Sequence, residues 1–199
     1  MNATITPREF ERDGDAARSA AGTESGALLP KVQLAAPVPI GKVGQIGILV
    51  PDLDEAIDLY GRAFGIDEWT CYSYDQEFMP WSRFGAEEGA FAMKLAMGGS
   101  NPQIELIQPL AGPSIYHEFT EQGRTGLHHL GVFVDSLDDA ITLMEGSGYR
   151  VTQTARGYGQ GGDGGFAYFD TERDLGVVVE AIEVPARRRP GTIRRTGGM

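Results

Sequence analysis

Two glutamates in this chain stand where carboxylates are expensive. Glu105 lies in the run Ile104-Glu105-Leu106-Ile107 and Glu180 in Val179-Glu180-Ala181-Ile182. Burying a bare carboxylate costs several kcal/mol, so glutamates in such strands require a cation or a cationic side chain. Neither run has a Lys or Arg at a neighbouring strand position. A second matched pair supplies the remaining donors. Gln45 and His129 sit in two stretches that echo each other, Gly44 to Tyr60 and Gly126 to Met144. Two carboxylates, an imidazole and an amide oxygen make an oxygen-rich donor set, with room for waters. It suits one divalent ion (Zn, Ni, Co, Mn or Mg) in a five- or six-coordinate site. A lone strand glutamate is commonly an edge residue facing water, and His128 alone reads as a structural histidine. Four polar residues at matched points of a repeat are harder to explain that way.

The repeat is what places them. The two stretches overlay at an offset of 84 residues, the distance from Gln45 to His129. The identical pairs are Gly47/Gly131, Val50/Val134, Leu53/Leu137, Asp54/Asp138, Ala56/Ala140, Ile57/Ile141 and Leu59/Leu143. Self-similarity at a fixed offset sets the architecture before any other reading. Each copy reads as a strand, a turn and an amphipathic helix. In the first, Pro51-Asp52 ends the strand, Asp52 with Glu55 starts the helix, and Leu53, Ala56, Ile57, Tyr60 and Phe64 repeat at helical spacing up to a stop at Gly65. The closing strands, around Glu105 and Glu180, overlay at an offset of 75 residues. Each half is therefore strand, helix and about three strands, and the difference in offset puts extra length in the Trp69–Ala90 region. If the halves pair by pseudo-twofold symmetry, Gln45, Glu105, His129 and Glu180 share one concavity.

Composition bounds the rest. The chain of 199 residues is 41% hydrophobic and 23% charged, ordinary for a globular protein with a real core. A net charge of −11 argues against nucleic acid as a partner. No apolar run approaches the roughly 20 residues of a membrane span. No stretch near the start combines basic residues with a long apolar run, so no signal peptide is expected. The single cysteine, Cys71, excludes an internal disulfide framework and fits a reducing compartment, hence the cytoplasm.

At these residues the chain resembles the vicinal oxygen chelate superfamily, the glyoxalase I and methylmalonyl-CoA epimerase group. The resemblance runs from about Lys42 to Pro185 and rests on Q-I-G-I-L-V-P-D-L-D-E-A, I-E-L-I-Q-P-L, G-L-H-H-L-G-V-F-V-D and V-V-V-E-A-I-E. It implies an α+β fold in which two paired βαβββ modules form a cupped mixed sheet around one metal site. It implies the ligands Gln45, Glu105, His129 and Glu180, one from each opening and closing strand. It also implies proton abstraction α to a metal-chelated carbonyl of a small molecule, with Glu180 or Glu105 moving the proton, as in glyoxalase-type isomerases and lyases or epimerases. The residue types match the glyoxalase I set, whereas the phrases around Leu106–Leu110 and Gly123–His129 are nearer the epimerases. Two departures stand out: an epimerase glutamate of the first half aligns near Met93, and a glyoxalase arginine aligns with Leu49. Gln45 argues against the two-histidine, one-carboxylate iron site of the ring-cleaving dioxygenases. His128 is not expected to replace it, because adjacent strand residues point to opposite faces. The alternative is a non-catalytic small-molecule-binding or resistance protein of the same fold. A homodimer is expected.

The organisation that follows is a flexible arm over 1–40, one domain over 41–185 and a basic tail over 186–199. Within the domain, module one spans 41–110, a linker 111–126 and module two 127–185. Residues 115–119 of the linker read as helical. The tail carries Arg187, Arg188, Arg189, Arg194 and Arg195 and reads as a solvated terminus, or as a contact for a phosphate or acidic neighbour. Trp69, Tyr72, Tyr74, Phe78, Trp81 and Phe84 either wall an apolar substrate pocket or pack beneath the arm or at a dimer interface. They favour a larger apolar carbonyl substrate over an acyl-CoA. The loop over 157–165, G-Y-G-Q-G-G-D-G-G, opens no helix and so fails as a dinucleotide fingerprint. It reads as a lid or a flexible turn beside the cup.

Overall fold

A computed structural model describes residues 40–197; the expected arm lies almost wholly outside the described residues. The first half opens with β1 (Val43–Leu49) and α1 (Leu53–Phe64). The Asp52 carboxylate accepts from the Glu55 N–H at 2.9 Å, a cap typically worth about 1 kcal/mol. Gly65 ends the helix with φ 66°, a left-handed turn that favours glycine. Leu53, Ala56 and Ile57 press onto the sheet together with Trp69 and Leu106. Burying each Leu or Ile side chain is worth roughly 1.5–3 kcal/mol. The half is completed by β2 (Glu68–Tyr74), β3 (Trp81–Phe84), β4 (Glu87–Glu88), β5 (Ala92–Gly98) and β6 (Gln103–Ala111). After α2 (Ile115–Glu121) the second half runs β7 (Gly126–Val134), α3 (Leu137–Gly146), β8 (Val151–Arg156), β9 (Gly165–Phe169), the short α4 (Glu172–Leu175) and β10 (Val178–Glu183). The last strand is β11 (Thr192–Arg195).

Among the described residues eleven strands form one mixed sheet in the order β11-β2-β5-β6-β1-β7-β10-β9-β8-β3-β4. Its centre is symmetric. β1 and β7 pair antiparallel, and each pairs in parallel with its own closing strand, β6 or β10. This is the duplicated βαβββ fold read from the repeat. The flanks curl toward each other, because Tyr74 at the end of β2 stacks on Tyr158 beyond β8 with ring centroids 6.1 Å apart. Side chains on the concave side form the largest core cluster. The helices α1 and α3 cover the other face through separate clusters.

Three regions differ from the sequence reading. The extra length of the first half is not only loop, since β3 pairs antiparallel with β8 of the second half. The basic tail is not a free terminus over its described part. Arg188 bridges to Gly159, and β11 pairs antiparallel with β2 of the first half. The glycine-rich loop is also held. The Gln160 N–H donates to the Arg187 carbonyl at 2.9 Å, and the Tyr158 hydroxyl donates to the Glu183 carbonyl at 2.9 Å. Loop and tail thus fasten each other across the concave side, a non-local arrangement that neither segment's composition reveals.

A candidate metal centre at the seam

The central strand pair has a register that explains its glycines. Gln45 lies opposite Gly131, and Gly47 lies opposite His129. A Cβ on Gly47 would come within 1.9 Å of His129 Cε1 and 2.1 Å of its Nε2; one on Gly131 would lie 3.0 Å from Gln45 Oε1. Each glycine vacates the space that the polar residue of the opposite half occupies. This accounts for one identical pair of the repeat through the site rather than through the backbone.

The four matched residues are nearly inaccessible: Gln45 is 1% exposed, Glu105 6%, His129 0% and Glu180 4%. His129 Nε2 lies 3.0 Å from Glu180 Oε2 and 3.4 Å from Glu105 Oε2. One ligand atom from each of these three residues falls within 4.8 Å of the others, a grouping able to hold a metal ion. Gln45 lines the same small cavity as both glutamates. Its Nε2 donates to Gln103 Oε1 at 3.0 Å, while its Oε1 has no partner. His129 Nε2 and Glu180 Oε2 also lack a hydrogen bond of acceptable angle, despite their short separation. Three buried donor atoms, unpartnered by protein, fit a cation-binding set better than a finished hydrogen-bond network. Without one, burial works against protonating His129, but Glu180 and Glu105 prevail and hold its pKa at about 9. Burial pushes the Glu180 carboxyl up, opposed by His129.

His128 behaves differently from its sequence reading. The β1–β7 register shifts between Gly47 and Ile48, whose partners are His129 and Leu127, so His128 is the extra residue of a β-bulge. Two residues then face one, and the alternation that would turn His128 away is broken. Both rings contact Tyr168, and the two Nδ1 atoms lie 3.0 Å apart. Burial, then the neighbouring charge of His129, lowers the His128 pKa to about 2. His128 is therefore neutral, and its Nδ1 can accept a proton donated by His129 Nδ1. With a metal bound, that hydrogen bond would leave the His129 Nε2 lone pair facing the two glutamates.

The cavity beside these residues is only about 20 Å³, space for about one water. Of the six aromatic residues of the first half's insert, Tyr74 alone lines it. Trp69 is instead wholly buried beneath α1, where its Nε1 donates to Thr196 Oγ1 at 3.3 Å. The expected large apolar pocket is not formed by the insert. The lining that sequence reading missed comprises Tyr116, Tyr158, Phe166, Tyr168 and Arg188. The hydroxyls of Tyr116 and Tyr168 lie 2.8 Å apart, and burial raises both well above the usual tyrosine pKa. Tyr158, an aromatic residue among glycines, and Arg188, inside an arginine run, were the visible signals. A larger cavity of about 560 Å³ opens between α2, β8 and α4 and reaches His128, but none of the four matched residues. Donor chemistry, not volume, marks the site.

Comparisons with known proteins agree with this geometry. A sequence profile described as Glyoxalase/Bleomycin resistance protein/Dioxygenase superfamily matches residues 44–169. The mitochondrial methylmalonyl-CoA epimerase of Dictyostelium discoideum is 26% identical over 131 residues, 65% of this chain and 68% of that protein. Among solved structures, a hypothetical protein from Bacillus halodurans superposes with a TM-score of 0.55 at 19% identity, over 74% of this chain and 97% of that one. The methylmalonyl-CoA epimerase of Mycobacterium tuberculosis gives 0.51 at 22% identity, over 71% and 87%. These structural likenesses establish the fold.

Proposed function

The chain belongs to the glyoxalase/bleomycin resistance protein/dioxygenase superfamily, and on that premise we propose an epimerase-type isomerase that moves a proton α to a carbonyl. The observation that carries this reading is the grouping of His129 Nε2 and Glu180 Oε2, both buried and unpartnered, with Glu105, beside a cavity that Gln45, also with an unpartnered Oε1, lines. Gln45, Glu105, His129 and Glu180 would hold one divalent ion, whose chemistry is to polarise a chelated carbonyl as a Lewis acid. Glu180 takes the α-proton as the general base. Glu105, its twin across the pseudo-twofold, returns a proton in this scheme. The concave lining of Tyr116, Tyr168 and Phe166 keeps bulk water from the exposed carbanion. Epimerisation is favoured over glyoxalase-type isomerisation because the curated relative is an epimerase.

The test is α-hydrogen exchange. Protein loaded with Zn, Ni, Co, Mn or Mg is placed in deuterated water with methylmalonyl-CoA, and separately with 2-oxo acids, and the α-proton signal is followed by NMR. Metal-dependent exchange is the expected result for at least one compound. Tight binding with no exchange would favour the sequestering protein instead, and equal exchange by stripped protein would remove the metal from the scheme.

The bulge gives a second expectation. His128→Leu removes the acceptor for His129 Nδ1 without touching a proposed ligand. Metal affinity should fall by about 10- to 100-fold, as is typical when a ligand's hydrogen-bond partner is lost. His128→Asn, which restores a short-range acceptor, should recover part of that loss. Competition against a chromophoric chelator reads both, and unchanged affinity in His128→Leu would show that the bulge does not orient the ligand.

A further inference from the structure

We propose that Arg188 is a specificity-determining residue, which makes the site select carbonyl compounds carrying a second anionic group. The inference rests on the proposed metal reading and adds a substrate class to it. Arg188 belongs to the segment between β10 and β11 that crosses the concave side. Its backbone is fixed by the bridge to Gly159 and by its carbonyl, which accepts from Gln160 Nε2 at 2.9 Å. Its side chain lines the same cavity as Gln45, Glu105 and Glu180.

Three arginines of the same segment already have partners, and Arg187 is exposed. Arg189 donates to the carbonyls of Gly159 and Glu77 and lies over Phe78, 4.9 Å from the ring centre. Arg194 pairs with Asp54, and Arg195 with Glu68 at 3.5 Å. Arg188 has no ion pair among the described residues. Its one polar side-chain contact is the Met97 sulfur at 3.7 Å, and its guanidinium lies 5.9 Å from the centre of the Tyr158 ring. A half-buried guanidinium with five donors and only a thioether and a ring for company is poorly satisfied. The nearby carboxylates do not relieve it, because Glu105 and Glu180 are within 4.0 Å of His129 and not of Arg188. With one divalent ion bound, two glutamates balance its charge, and Arg188 is left as the unmatched positive group at the cavity. A carboxylate is the natural complement, since a guanidinium binds it through two parallel charge-assisted hydrogen bonds.

The probes are 2-oxoglutarate and 2-oxobutyrate. Both present a 2-oxo acid for chelation, and only the first carries a second carboxylate. Binding to metal-loaded full-length protein is measured by calorimetry. Wild type should prefer 2-oxoglutarate by about 10- to 100-fold, the worth of a charge-assisted pair. Arg188→Leu should abolish the preference by weakening 2-oxoglutarate alone, with metal content unchanged by elemental analysis, and Arg188→Lys should restore part of it. A wild type that binds both equally or neither, or a preference that survives Arg188→Leu, overturns the proposal. Recording α-hydrogen exchange in the same samples separates the two readings. An Arg188-dependent preference without exchange keeps the anion site and removes the proton chemistry; exchange without the preference does the reverse.

Discussion

Glu180→Gln should slow exchange of a substrate's α-hydrogen with deuterated water by about 10²- to 10⁴-fold, the usual loss with a positioned base, while the metal stays bound. The two outcomes separate because the amide keeps an oxygen that can coordinate, as proposed for Gln45, and loses the basic one. Glu180 is the first choice and Glu105 its twin across the pseudo-twofold, their carboxylates lying 3.0 Å and 3.4 Å from His129 Nε2. Glu105→Gln is the control for the pseudo-twofold. NMR reads the exchange, and elemental analysis reads the metal. If both glutamine variants exchange as fast as wild type with metal in place, neither carboxylate is the base.

Loss of the metal should follow from two different changes at the seam, both acting through His129. His129→Ala removes a proposed ligand and should lower affinity by well over tenfold, since the remaining donors come from separate strands and must hold the ion without their imidazole. Gly47→Ala removes no ligand at all. Its new Cβ would stand 1.9–2.3 Å from three atoms of the His129 ring, so the imidazole must leave its place. The backbone at Gly47 needs no left-handed conformation, and steric displacement is therefore the whole effect. Metal content after preparation without chelator should fall in both variants, with far-UV circular dichroism showing the sheet retained. Wild-type metal content in Gly47→Ala would mean that His129 is not required for the ion.

The parts of this protein that sequence reading reached are those encoded locally and twice. Asp52 and Glu55 mark a helix start wherever they occur, and the seven identical pairs align the opening strands without structural help. Glu105 and Glu180 were conspicuous because apolar neighbours make their charge costly. What stayed hidden depends on pairing between distant segments. Whether His128 faces its neighbour's side is settled by a one-residue slip against β1, a property of two strands at once. Nothing in Thr192–Arg195 itself says that it lies on β2. The aromatic insert misled because Trp69 and Tyr74 look alike in composition, yet one packs under a helix and the other lines the cavity.

The crossing of β3–β4 to the second half and of β11 to the first has a bearing on self-association. An open sheet has two margins, and each presents unpaired N–H and C=O groups to any passing strand. Here neither module is left with its own margin bare. The second half ends on the two-residue β4, Glu87–Glu88, too short and too acidic to seed a further ladder. The first half ends on β11, whose Arg194 and Arg195 set charge along the rim. A chain cut before Thr192 would bare β2, with Trp69, Thr70, Cys71 and Tyr72 in sequence, a β-prone stretch of the kind that templates chain-to-chain ladders. The strand Thr192–Arg195 is thus part of what covers that margin of the sheet.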